Sequence, residues 1–486
     1  MRGFFMGAKL IFKKQFSFGF SCGFVAFCGL VFVLPIWSVV SSLSWHDQQR
    51  LGQIFLVGLA SLWVFSNPKI KRLDFSSFFL LLGILVLGFF SSSLARQSLW
   101  AFSELAVFVG CYFMVCAVRD WRAEGGKKID MALFGVLVSV VAAILLKFFI
   151  SFSGAIIIRG PIDSLLLFDG FSWPRFLGQF QTLSLPLLTI PFFLKKKRHS
   201  WCIILCALWW FATIAVGTRA SWLGMACAVL FVLLFFESGR KFAFFQVSCA
   251  LVGLVIYKLL MVLVPWFFDL PVGNLAEDRL SLSMSGREVL WSKAWGMFLE
   301  NPWFGAGPMS FAGIASPLGA HPHQAILQWM SEWGGVSALL VILLLGRSAW
   351  IFYLQARKAE SGESSVLEMC LMGSFIASAV HAMFDGSLVM PYTQIWLSIL
   401  IGWAWGVHSE QCSDNQGSVA WSHVMLPVLV SLLLVFVVVR DIPQIIVESR
   451  QDQSALACWR EAPRFWYNGI IKEDPKFGCA SLAPKK

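Results

Sequence analysis

The chain has 486 residues, 58% of them hydrophobic and only 13% charged, with a formal net charge of +11. Surface-to-volume scaling leaves a water-soluble globule too little interior for that much apolar side chain, so the composition excludes one and assigns the chain to a bilayer. The 38 Lys and Arg lie in short clusters between apolar segments rather than in one patch or arm, which argues against nucleic acid as the partner and makes them topology signals.

Taken in chain order, the first apolar run follows a basic N-terminal stretch and reaches Val40. It is long enough to span, and reads as a retained first helix. Further apolar runs of spanning length fall near 51–66, 75–94, 100–118, 131–151, 176–194, 201–217, 221–236, 243–264, 331–353, 367–384, 391–407 and 422–440. The expected fold is therefore all-α: a polytopic integral membrane protein of about 12 to 13 spans, with one large external loop, residues 265–330, between two of them. No repeat of 20 to 50 residues is visible. Alternating spans place Arg2/Lys9/Lys13/Lys14, Lys69/Lys71/Arg72, Arg119/Arg122/Lys127/Lys128, Lys195 to Arg198, Arg240/Lys241 and Arg357/Lys358 on one side, the cytoplasm by the positive-inside rule. The opposite side receives residues 152–175, the 265–330 loop, the loop near 384–392 and the tail. A membrane body over 1–440 and a small external tail over 441–486 follow. In that tail Cys458 and Cys479 are either a disulfide on an oxidising side or two free thiols.

Polar residues accumulate on the external side from four separated segments. FSWPRFLGQFQTLSLPLL (171–188) carries Arg175, Gln179 and Gln181 into an otherwise apolar span. IAVGTRASWLG (214–224) is a tight hairpin whose Arg219 either snorkels or grips an anionic headgroup through bidentate pairing with phosphate. In the large loop, SGREVLWSKAWGMFLE predicts a helix with Ser285 as N-cap, Arg287 in its first turn, and Val289, Leu290, Ala294, Trp295 and Phe298 at helical spacing. NPWFGAGPMSF then forces a turn; its glycines serve chain reversal or cradle a phosphate, and no Walker lysine follows. HPHQ opens the next apolar helix. In an extended segment its two imidazoles, His321 and His323, project to the same face as a metal pair, as packed histidines, or as a general base at a cavity mouth. HAMFDGSLVMPYTQ (381–394) adds His381, Asp385 and Gln394. Convergence of this kind is what a substrate pocket needs.

GTRASWLG, SGREVLW, NPWFGAGPMSF and HPHQAILQWMSEWG, in that order, resemble the superfamily of O-antigen ligases and bacterial O-oligosaccharyltransferases, which also contains O-antigen polymerases. The resemblance covers about residues 171–406. It implies a bacterial inner-membrane glycosyltransferase whose site faces the periplasm and which needs no metal or other cofactor. Such an enzyme moves a preassembled glycan from undecaprenyl diphosphate to an acceptor hydroxyl. The family histidine falls on His323, its loop arginine on Arg287 and its hairpin arginine on Arg219; the family Asn after the histidine is here Gln324. His323 is then the base and the two arginines clamp the diphosphate, with Arg175 as a third cation and Gln179, Gln181, His321, Gln324 and Asp385 around the substrate. PRFLGQFQTLSLPLL (174–188) and HPHQ…W resemble the branch that modifies pilins and other exported proteins, and the tail with CWREAPRFWYNGII fits that branch too. Ligation to the lipid A core and glycan polymerisation are the alternatives within the superfamily. Glu104, Lys147 and Lys258, in or near spans, keep a lipid-linked glycan transporter as the reading of another class.

Overall fold

A computed structural model describes residues 23–67, 74–193, 200–273, 286–313, 319–358, 363–409, 422–450 and 464–467. Its helices in chain order are α1 (Gly23–Trp37), α2 (Trp45–Ser66), α3 (Phe75–Leu94), α4 (Ser98–Gly125), α5 (Lys127–Ile157), α6 (Ser164–Leu167), α7 (Pro174–Ser184), α8 (Leu187–Phe193), α9 (Ser200–Val216), α10 (Arg219–Phe235), α11 (Gly239–Phe268), α12 (Arg287–Glu300), α13 (Ala325–Trp333), α14 (Gly335–Lys358), α15 (Glu363–Ala382), α16 (Pro391–Ser409) and α17 (Ser422–Arg450). Every expected span is occupied by a helix. Seven helices among the described residues are long and apolar enough to cross a membrane, and α7 with α8 makes an eighth if that bent pair counts as one span. The chain is an all-α polytopic membrane protein. The basic clusters within 1–22, 68–73 and 194–199, Ser285, Cys458 and Cys479 lie outside the described residues.

Caps in the sequence set several helix starts. Ser44 accepts the Asp47 amide at the start of α2, and Asp74 accepts the Ser77 amide at the start of α3. Asp74 also pairs with Arg347 at 2.9 Å, tying the start of α3 to the middle of α14 through two exposed side chains. Burial then sorts the helices. The most apolar window of α4 is 72% buried and that of α14 only 17%, so α4 is the central post, packed by α2, α3, α16 and α17, while α14 faces outward. A second group packs α10 on α15 and α11, and α9 on α11. α7 joins the two groups through α15 and α16. The rows of exposed apolar side chains on α3, α11 and α14, such as Phe75, Val255 and Trp350, are the surface a lipid tail would cover.

Three expectations change. The span expected over 176–194 is broken: Pro186 has no amide to donate, and α7 and α8 meet at 44°. The turn before Arg219 is as tight as expected, with Gly217 at φ +66°, yet α9 and α10 pack little on each other after it: both lean on α11 and α7, and α10 also on α15. α17 continues past residue 440, where a boundary between body and tail was expected, to Arg450. A two-residue parallel pairing, β1 (Ile162–Asp163) with β2 (Val272–Gly273), fastens the loop after α5 to the start of the large loop.

Candidate active site

The glycine-rich turn after α12 serves chain reversal. Ala306 and Gly307 amides donate to the Ser331 and Glu332 carbonyls at 3.0 and 2.9 Å, and the Gly335 amide donates to Pro302 at 2.8 Å. The turn thereby satisfies carbonyls at the end of α13. A Cβ at Gly305 would lie 2.4 Å from the Glu332 carbonyl, and one at Gly334 2.1 Å from that of Trp303, so the two strands of the turn meet backbone to backbone. Leu290, Ala294, Met297 and Phe311 form a small core beneath the turn. Val289 and Trp295 of the expected stripe are exposed instead, and the N-cap of α12 is Gly286, which makes no side-chain cap bond. Loop and α13 thus form one body that presents Arg287 and the histidines together.

The HPH segment is not extended. His323 has φ +55°, in the left-handed region, and that turn brings the His321 and His323 rings to 4.0 Å between centroids at 80°. Trp291 of α12 donates to the Pro322 carbonyl at 3.0 Å, binding this turn to the helix that carries Arg287. Gln324 caps α13 by accepting the Leu327 amide, so its carbonyl oxygen is committed to structure rather than to a substrate.

Asp385 organises the centre. One carboxylate oxygen lies 3.1 Å from His323 Nδ1 and accepts the Gly386 amide at 2.8 Å; the other lies 3.4 Å from His381 Nε2. Behind it, His381 Nδ1 is 2.9 Å from the Thr182 hydroxyl, which is also 2.7 Å from the Gly178 carbonyl; Ser221 donates to that carbonyl at 2.9 Å. The Asp385 carboxylate can only accept, which puts the His381 proton on Nε2, facing it. The same logic puts the His323 proton on Nδ1 and leaves Nε2 as the acceptor. His381 belongs to this relay, although no site role follows for it from the sequence reading; the spacing His381-x-x-x-Asp385 across a helix end was the signal.

The arginines gather around this centre. Arg287 is within electrostatic reach of Asp385, Arg175 and Arg219, and His323 within that of Arg175 and Arg287. Gly178 allows the approach of α7 to α10, since its missing Cβ would lie 2.6 Å from the Thr218 hydroxyl. Arg175 lies one turn before Gly178, over the Phe176 ring at 5.4 Å, with its Nε buried and unpartnered. Gln179 is turned away, accepting Thr393 at 2.6 Å, and Gln181 is fully buried with both amide atoms unpartnered. Gln394 belongs to a separate network with Arg50 and Gln53.

Burial, reinforced by Arg175 and Arg287 against the pull of Asp385, lowers the His323 imidazole to about 4. Burial and His323 itself push His321 well below its ordinary value. Burial alone would raise Asp385, but hydrogen bonds from His323 and His381 and the nearness of Arg175 carry it well below the carboxylate range. At neutral pH the site holds a neutral imidazole beside a carboxylate. A reaction using His323 as base is expected to keep a flat kcat/KM through pH 6.5 and to fall only as pH drops toward about 4, which a pH–rate profile checks. The linked stability has the same sign. Below the ordinary value of 6.5 the unfolded imidazole takes up a proton that the folded one refuses, so this group costs stability as pH falls from 6.5 to about 4.

Gly386 is pressed on the pair: a Cβ there would lie 2.4 Å from His321 Nε2 and 2.8 Å from two ring carbons. Gly386→Ala is expected to displace the His321 ring into His323 and to lower turnover on the order of 10²-fold, the cost of a misplacement near 1 Å, at unchanged protein level in membranes.

Residues 203–343 match the family model described as O-antigen ligase. No curated protein matches the chain. The matched region runs from α9 into α14, so it contains Arg219, Arg287, His321, His323 and Gln324, while Arg175, His381 and Asp385 lie outside it. Over residues 203–343 the chain is therefore similar to an O-antigen ligase domain, a match that supports the O-antigen ligase and oligosaccharyltransferase superfamily of membrane glycosyltransferases.

Proposed function

We propose that the protein transfers a preassembled glycan as one block from undecaprenyl diphosphate to a hydroxyl of an exported protein, at the periplasmic face of a bacterial inner membrane. The observation that carries this reading is the meeting of a neutral, carboxylate-oriented imidazole with three guanidiniums drawn from α7, α10 and α12. In the reaction, His323 Nε2 takes the acceptor hydroxyl proton as that oxygen bonds to the anomeric carbon. The bond from that carbon to the diphosphate breaks, and its electron pair leaves with the diphosphate. Asp385 steadies the imidazolium, and Arg219, Arg287 and Arg175 meet the charge on the departing group without a metal ion. The body, which extends through the end of α17 at Arg450, provides the membrane frame, with loop 265–330 as the catalytic loop and the residues after Arg450 as the periplasmic tail.

The protein acceptor rests on the likeness of segment 174–188, of HPHQ…W and of the tail to the pilin-modifying branch. A second reading, ligation to the lipid A core, is consistent with the matched family's description as O-antigen ligase. Purified protein in proteoliposomes, given undecaprenyl-diphosphate glycan with a pilin-type protein and, separately, lipid A core, decides between them. Glycosylated protein is expected. Glycosylated core alone gives the ligase reading, a longer lipid-linked glycan gives polymerisation, and movement of the donor across the bilayer with no new bond gives a transporter.

A further inference from the structure

The four described residues of the C-terminal segment, Arg464–Tyr467, are folded back onto the body. Arg50 of α2 donates from Nε to the Phe465 carbonyl and from Nη2 to the Arg464 carbonyl, both at 3.0 Å, and His46 Nε2 lies 3.2 Å from the Phe465 oxygen and 3.0 Å from the Arg464 oxygen. The Phe465 ring packs under the Arg50 guanidinium and against Trp100 of α4. Trp466 donates to Asp441 of α17 at 2.8 Å, and the Tyr467 amide donates to Asp47 at 2.7 Å. Four residues thus tie α2, α4 and α17 together at the end of the bundle where the site loops lie.

From this anchor the Arg464 side chain, 1% exposed, forks toward the site. Nη2 pairs with Glu332 at 2.5 Å, and Nη1 donates to the Ala320 carbonyl, immediately before His321, at 3.3 Å. Glu332 is a hub of the large loop: its other carboxylate oxygen accepts the Phe311 amide at 3.1 Å, and its carbonyl accepts from Gly307 and Ser91. Arg50 meanwhile donates to the Val389 carbonyl at 2.9 Å, in the loop that carries Asp385. One strap therefore holds the histidine loop and the aspartate loop at once. Beside it, Glu104 and Glu332 line a cavity of about 40 Å³ with Gln328 and Gln394, and one Glu104 oxygen there has no protein partner.

We propose that Arg464 is a positioning residue for the transfer reaction: anchored by the 464–467 backbone, its guanidinium fixes the Ala320–His323 turn in register with Asp385. This rests on the reading of His323 as the base. A fork of two bonds to a carboxylate and a carbonyl is geometry that lysine does not reproduce.

The test uses the full chain as wild type, Arg464→Met and Arg464→Lys. One readout is independent of activity: the rate at which diethyl pyrocarbonate modifies His321 and His323, followed by mass spectrometry. A loosened turn is expected to react about 10-fold faster in Arg464→Met, with Arg464→Lys between it and wild type. The second readout is transfer: kcat is expected to fall on the order of 10²-fold in Arg464→Met, with donor KM changed less than about threefold. A wild-type modification rate in Arg464→Met overturns the proposal; should that variant fail to accumulate, a wild-type rate in Arg464→Lys does so. A raised donor KM at unchanged kcat overturns it as well. If the wild type itself transfers no glycan, the functional reading falls, and a faster modification rate in the variant still supports the positioning role.

Discussion

His323→Ala is expected to lower kcat for transfer by about 10²- to 10⁴-fold, the usual contribution of a general base, while the protein still inserts and still binds donor. The ring is buried and linked to the fold through Asp385 at 3.1 Å and through the His321 ring, so its loss removes chemistry more than architecture. Asp385→Asn separates base from orienter. An amide nitrogen turned toward Nδ1 would force that atom to accept, moving the proton to Nε2, where the acceptor hydroxyl needs a lone pair. Asp385→Asn is therefore expected to lose kcat by about 10²-fold or more with donor KM near wild type. Unchanged transfer by His323→Ala, at matched protein level in membranes, removes His323 as base; unchanged transfer by Asp385→Asn removes Asp385 as its orienter.

The second large effect is expected at Arg287. Removing one preorganised group that meets charge developing in the transition state costs about 10²- to 10³-fold in kcat. Arg287→Ala is expected to show that loss in kcat/KM for the donor, measured in proteoliposomes. Leu290, Ala294 and Met297 seat α12 on the small loop core, and the Arg287 side chain is not part of that core. The loop should therefore stay folded, which a thermal melt checks. Arg287→Lys is expected to recover only part of the rate, because a single ammonium does not match two phosphate oxygens as a fork does. A variant within about twofold of wild type would place Arg287 outside the diphosphate site.

Hydropathy made the helices legible, because bilayer thickness sets a length that the chain must write out in apolar residues. The broken α7–α8 span was legible as well, in Pro186, but a continuous apolar run hid it. The hairpin and large-loop motifs carried Arg219, Arg287 and His323, since a glycine turn, a helix start and a histidine pair are local signals. What the local pattern missed depends on contacts distant in sequence. The left-handed His323 is stabilised by Trp291 and Asp385, and the amide of Gln324 is taken up by a helix cap, so neither is visible from HPHQ alone. The Arg464 strap meets residues more than a hundred positions away along the chain, and nothing in its local sequence marks them.

The most direct test of the central claim is a single-turnover experiment on purified protein charged with radiolabelled undecaprenyl-diphosphate glycan and then mixed with acceptor. The wild type is predicted to convert bound donor into glycosylated acceptor and undecaprenyl diphosphate in equal amounts, whereas His323→Ala holds the donor unconverted. Conversion by His323→Ala at the wild-type rate would contradict the account.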